Sequence, residues 1–115
     1  MNLTVDVETA GPVRTLTLAG ELDHGGAPHL QQALDDAYTC GCRQLIIDLT
    51  GLSFCDSTGI SVLLGARRVM AARRGDLALA GVNARVERIF RLIGLAEAFP
   101  TYATAEQARA AITPA

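Results

Sequence analysis

The run Leu45-Ile46-Ile47-Asp48-Leu49 constrains this chain more than any other feature. It is short, nearly continuous in apolar residues and β-branched, so it does not alternate between a wet and a dry face. A strand of that kind is covered on both sides, which puts it at the centre of a sheet with helices packed over it.

The segments on either side have the matching periodicities. Leu3, Val5 and Val7 alternate with polar residues, as do Leu16 and Leu18 beyond the turn-like Ala10-Gly11-Pro12, which predicts a hairpin of two strands, each with one core-facing side. Ala27, Leu30, Leu34 and Ala37 then recur at helical spacing, with Pro28 in the first turn and an end expected near Cys40-Gly41. After the central strand, Ile60, Leu63, Leu64 and Val69 predict a second helix from Ser57 to about Arg73. Arg67, Arg68, Arg73 and Arg74 crowd its far end, where cations complement the helix dipole and add solubility. Leu77-Ala78-Leu79-Ala80 reads as a strand, Asn83 as the cap of a third helix carrying Val86, Ile89, Phe90 and Ile93, and Gly94 as its end. Phe99 to Tyr102 is expected as an edge strand interrupted by Pro100, and Thr104 with Gln107 has capping-box spacing before a last, Ala-rich helix. The strand–helix alternation after the hairpin predicts an α/β fold: a mixed sheet of four to five strands with about four helices packed on it.

Residues 1–115 are expected to form one domain, since a chain of this length buries roughly two thirds of its unfolded surface and is too short for two ordinary domains. The net charge is −2 and all ten basic residues are Arg, scattered from Arg14 to Arg109, so the basic excess of a nucleic-acid binder is missing. No apolar run reaches the ~18 residues that span a bilayer, and the N-terminus has no signal-peptide pattern, so a cytoplasmic protein without a membrane partner is expected. Cys40, Cys42 and Cys55 do not make a disulfide framework and suit a reducing compartment. A metal site on Cys40-Gly41-Cys42 is short of ligands, because tetrahedral sites take four. Catalysis is equally poorly provided for. The chain has no G-x-S-x-G, P-loop or H-E-x-x-H motif and no Lys, and His24 and His29 lie across a Gly/Pro break. No catalytic residue, metal or cofactor is therefore assigned.

The stretch Phe54-Cys55-Asp56-Ser57-Thr58-Gly59-Ile60 lies where the central strand turns into the second helix. Asp, Ser and Thr are ordinary N-caps there. A hydroxyl at a helix start also faces free backbone N–H groups and the positive dipole end, which together can hold a phosphate, so Ser57 is a candidate switch. Ile60, Leu63 and Leu64 fit either a core face or a partner contact; Leu63 and Leu64 are assigned to the core, and Ile60 to a partner-facing position. Arg85, Arg88 and Arg91 recur every three residues and could meet acidic partner groups, but are assigned to a solvated stripe.

Taken in order, Gly20-Glu21-Leu22-Asp23-His24, Leu52-Ser53-Phe54 leading into Asp56-Ser57-Thr58-Gly59-Ile60, and Ile89-Phe90-Arg91-Leu92 with Gly94-Leu95 resemble the STAS domain, in particular the small stand-alone bacterial anti-sigma factor antagonists of sporulation and stress response. The resemblance spans essentially the whole chain. It implies a non-enzymatic partner switch: the unmodified antagonist binds an anti-sigma factor that is also a serine kinase, the sigma factor is released, and phosphorylation of the antagonist breaks the complex until a phosphoserine phosphatase resets it. The acceptor maps onto Ser57, with Thr58 as the second hydroxyl of the motif. Glu21, Asp23 and Asp56 map onto the carboxylates of the partner-binding surface, which Thr58, Gly59 and Ile60 complete. The sequence departs from the family at Ser61, where a second Gly is frequent, and at Ile93, where a small Ser or Thr is common. Two other readings remain open: a STAS scaffold or accessory subunit of a stress-signalling or lipid-transport complex, and a small redox or metal protein using Cys40, Cys42 and Cys55.

Overall fold

The computed structural model describes residues 3–92 and 97–112. In chain order these form β1 (Leu3–Ala10), β2 (Val13–Leu22), α1 (Ala27–Thr39), β3 (Gln44–Cys55), α2 (Ser57–Ala72), β4 (Asp76–Ala80), α3 (Ala84–Leu92), β5 (Thr101–Tyr102) and α4 (Ala105–Ile112). The strands make one mixed sheet in the order β1-β2-β3-β4-β5. Its first pair is antiparallel and the other three are parallel. This is the mixed α/β architecture that the alternation predicts.

The central strand is covered on both faces. Leu45, Ile47 and Leu49 pack with Leu16 and Leu18 of β2 and Leu77 and Leu79 of β4 under Leu30 and Leu34 of α1, Leu63 and Met70 of α2, and Val86 and Phe90 of α3. Ile46 points the other way and joins Val13, Ala78 and Ala80 beneath Ala108 of α4. The hairpin closes through a two-residue loop, Gly11-Pro12, with Gly11 at φ 59, a conformation that a residue with a Cβ resists. Both strands were expected to turn one side to the core. On the edge strand β1 that holds for Leu3 and Val5, while Val7 stays 53% exposed.

Two strands and one arginine differ from the sequence reading. β2 runs past the alternating Leu16 and Leu18 through Leu22. β3 likewise runs past Leu49 to Cys55. The two strands stay paired over this length through register shifts at Thr17/Ala19 and Gly20/Glu21, with Gly20 at φ 102, and such shifts break the period-2 pattern by which the extension could be recognised. The third concerns the arginines at the far end of α2. Arg73 is not simply a solvated cap: its Nη1 donates to Tyr38 O at 2.9 Å and its guanidinium lies 5.3 Å from the Tyr38 ring centre, tying α2 to α1.

The expected caps are present. Asn83 Oδ1 accepts from Val86 N at 2.9 Å, and Thr104 Oγ1 accepts from Gln107 N at 3.1 Å. At the end of α1, Gly41 has φ 78, its N–H donates to Tyr38 O, and Cys42 N–H donates to Ala37 O, so the last carbonyls of the helix are satisfied. Ile93 and Gly94, expected on and at the end of the third helix, lie outside the described residues, as does Leu95. Among the described residues no helix is long and apolar enough to cross a membrane.

Candidate functional site

The parallel strands β2 and β3 end side by side, so the segment leading into α1 and the start of α2 are neighbours. Leu22 pairs with Cys55, and Asp56 N–H donates to Leu22 O at 3.2 Å. Asp56 is the N-cap of α2, in an extended conformation at φ −105 and ψ −174. Its carboxylate serves both sides of the junction: Oδ1 accepts from Gly59 N at 3.0 Å and Oδ2 accepts from His24 N at 3.1 Å. One side chain thus caps α2 and clamps the β2–α1 loop against it.

Gly59 makes this approach geometrically feasible. A Cβ built there would lie 2.6 Å from both the carbonyl oxygen and Cγ of Leu22, so any side chain would push the first turn of α2 off β2. Across the junction Asp23 holds the start of α1, with Oδ1 accepting from Gly26 N at 2.7 Å. That N–H bond, the largest influence on the group, lowers the Asp23 carboxyl from its ordinary value.

Ser57 is the first residue of α2 and is exposed. Because Asp56 Oδ1 takes Gly59 N–H and Asp56 O takes Ile60 N–H, the N–H groups of Ser57 and Thr58 are the ones left without a carbonyl partner within the helix. Thr58 is half-buried and, with His24, Ala27, Pro28, Gln31 and Val62, lines a shallow depression between the starts of α1 and α2. Ser61, one turn along, donates its hydroxyl to Ser57 O at 3.0 Å.

Of the residues singled out from the sequence, Glu21, Asp23, Asp56, Ser57 and Thr58 come to one end of the sheet with at least part of each side chain accessible. Gly59 and Ile60 do not offer contact surface. Gly59 is buried against Leu22, and Ile60 is 8% exposed within the main core, so the partner-facing assignment of Ile60 is corrected to a core position that anchors the first turn. Helical spacing marks an apolar face but not what covers it. Leu63 is buried and Leu64 half-buried against the same core, as assigned. Two contributors went unassigned from the sequence: the backbone N–H of His24, which carries no residue-type signal, and Phe54, which is 42% exposed despite its size.

The cysteines do not converge. Cys40 is exposed just after α1, Cys42 precedes β3 and Cys55 closes it, so a 12-residue strand of roughly 35–40 Å separates the first two from the third. Burial, reinforced by the charge of Asp56, pushes the Cys55 thiol up to about 12. Burial also raises Cys42, whose Sγ donates to Gln44 O at 3.2 Å. Among the described residues no group of three or more His, Cys, Asp or Glu is placed to hold a metal ion.

A mixed five-stranded sheet that presents an exposed hydroxyl directly after the N-cap of its second helix, beside a carboxylate-bearing loop, has the architecture of a STAS domain. The STAS domain family model matches residues 4–108, and the chain belongs to that family. More particular likenesses follow. The chain is 32% identical over 103 residues to the anti-sigma F factor antagonist of Paenibacillus polymyxa, covering 89% of this chain and 88% of that one. The crystal structure of an anti-sigma factor antagonist from Mycobacterium paratuberculosis superposes with a TM-score of 0.83 at 29% identity, covering 98% of this chain and 96% of that one. The structure of the Bacillus cell fate determinant SpoIIAA in its phosphorylated form superposes with a TM-score of 0.75 at 26% identity, covering 95% and 99%.

Proposed function

We propose that this chain is a cytoplasmic, non-enzymatic anti-sigma factor antagonist whose docking is governed by reversible phosphorylation of Ser57. Unmodified, it binds an anti-sigma factor serine kinase and frees the sigma factor; phosphorylated, it is released until a phosphoserine phosphatase removes the group. The observation that carries this reading is an exposed Ser57 at the first position of α2, held by the Asp56 clamp beside the β2–α1 loop. Names of the relatives and neighbours support the same reading.

The physical logic is local. A phosphate on Ser57 adds about −1.5 to −2 charges beside Asp56 and in the neighbourhood of Glu21 and Asp23. An interface built around the neutral hydroxyl then faces like-charge repulsion and a desolvation cost. A loss of about 4 kcal/mol weakens binding roughly a thousandfold. Within the protein itself, the unpartnered N–H groups of Ser57 and Thr58 and the helix dipole favour the anion, so the fold tolerates what the interface does not.

Incubation with the anti-sigma kinase and Mg-ATP, followed by mass spectrometry, should place one phosphate on Ser57 and none on a Ser57→Ala variant. Modification confined to another residue would refute the assignment.

A further inference from the structure

β3 makes its last pair with β4 at Asp48–Ala80 and continues to Cys55 with β2 on one side and, among the described residues, no strand on the other. The residues that open α3 occupy this bare edge. Asn83 Nδ2 donates to Leu52 O at 2.6 Å and Arg85 Nη1 donates to Ser53 O at 3.4 Å. α3 is therefore tied to the strand end that leads into Asp56 and Ser57, and Phe54 stands exposed next to the point of attachment.

The two sides of this strand end carry opposite charge. Toward β2 lie Glu21, which pairs with Phe54 in the sheet register, then Asp23 and the cap Asp56. Toward α3 lie Arg85 and Arg88, both exposed and three residues apart on one helix face. Arg91, the third of the series, is paired with Glu87, whereas Arg85 and Arg88 have no carboxylate partner among the described residues. The stripe thus divides into one neutralised cation and two without a carboxylate partner among the described residues, of which Arg85 also donates to a backbone carbonyl.

Building on the function proposed above, we propose that Phe54, Arg85 and Arg88 form a second contact zone for the anti-sigma partner that Ser57 gates, and that this zone receives an acidic segment of that partner. Exposed aromatic and arginine side chains are the types enriched at protein interfaces, and here Phe54 lies beside the strand residue that Arg85 binds. Opposite charges along one face fix the orientation of docking and disfavour the reversed pose. The carboxylates alongside argue against a polyanion such as nucleic acid, which Glu21, Asp23 and Asp56 would repel.

The test measures association and dissociation of the anti-sigma kinase with the Ser57→Ala chain at about 0.05 M and about 0.5 M salt. Adding Arg85→Glu with Arg88→Glu should lower affinity at least about tenfold at low salt, mostly through the association rate, with the difference shrinking at high salt. Phe54→Ala should lower affinity about fivefold or more at both salts. Arg67→Glu with Arg68→Glu, ten and eleven residues along α2 and so about 15 Å from Ser57, should stay within about twofold. Thermal unfolding of each variant checks that it is folded. Unchanged affinity in the Arg85/Arg88 variant, or an equal loss in the Arg67/Arg68 control, overturns the inference while leaving the Ser57 switch intact. Failure of the Ser57→Ala chain itself to bind the anti-sigma kinase overturns both.

Discussion

Gly59 and Gly65 sit in the same helix, and replacing each with Ala should move stability in opposite directions. At Gly65 a Cβ meets nothing within 4 Å, so the substitution keeps only the gain from restricting the unfolded backbone, about 0.5–1 kcal/mol. At Gly59 the same gain is opposed by a methyl 2.6 Å from Leu22 O and Cγ. The oxygen belongs to the backbone at the end of β2, an interior strand, and cannot rotate away. Overpacking of that sort costs about 1–3 kcal/mol and here sits at the severe end, so the net change is a loss of about 2–2.5 kcal/mol. For 115 residues the unfolding entropy is about 0.24 kcal/mol/K, so 1 kcal/mol corresponds to about 4 °C in Tm. Thermal unfolding should therefore show Gly65→Ala about 2–4 °C above the parent and Gly59→Ala about 8–10 °C below it. A Gly59→Ala protein as stable as the parent would refute the claim that close approach of α2 to Leu22 sets the position of Ser57.

Three further outcomes are expected. Asp23 has a lowered folded-state pKa, so its contribution to stability is present above the ordinary carboxylate value of 3.8 and is lost as pH falls through the folded value. Urea unfolding of the parent and Asp23→Asn should accordingly differ at pH 7 and converge as the pH falls through the lowered folded value; a constant difference would contradict the Gly26 N–H bond as the cause. Cys40 should react with an alkylating reagent in the folded protein at pH 8 while Cys55, raised to about 12 and buried, reacts only on unfolding; mass spectrometry of timed samples reads this directly. Arg73→Ala should cost about 1–2 kcal/mol in urea unfolding by removing the bond to Tyr38 O and the contact with its ring, whereas Arg74→Ala, at an exposed position with φ 58, should not destabilise.

What could be read from the sequence follows from how locally each feature is determined. Leu45–Leu49 gives the central strand because burial on both faces demands an unbroken apolar run. Asn83 and Thr104 mark helix starts because a cap is a bond between residues three apart. Ser57 was identifiable for the same reason, as a hydroxyl just behind a cap. The extension of β3 through Thr50–Cys55 was not, since its partner is set by register shifts against β2 that leave no alternation in the residues themselves. Ile60 and Phe54 illustrate the limit more sharply. Both are large and apolar and flank Ser57, yet one is in the core and the other faces outward, and only the packing of α2 on the sheet decides which. Arg73 and Arg85 look alike in sequence, and long-range partners separate their roles.

The most direct measurement of the central claim is the dissociation constant of the anti-sigma kinase for the chain with Ser57 free and with Ser57 stoichiometrically phosphorylated, determined in the same buffer. The account predicts roughly a thousandfold weaker binding of the phosphorylated form with no loss of folded structure. Equal affinity of the two forms would contradict it.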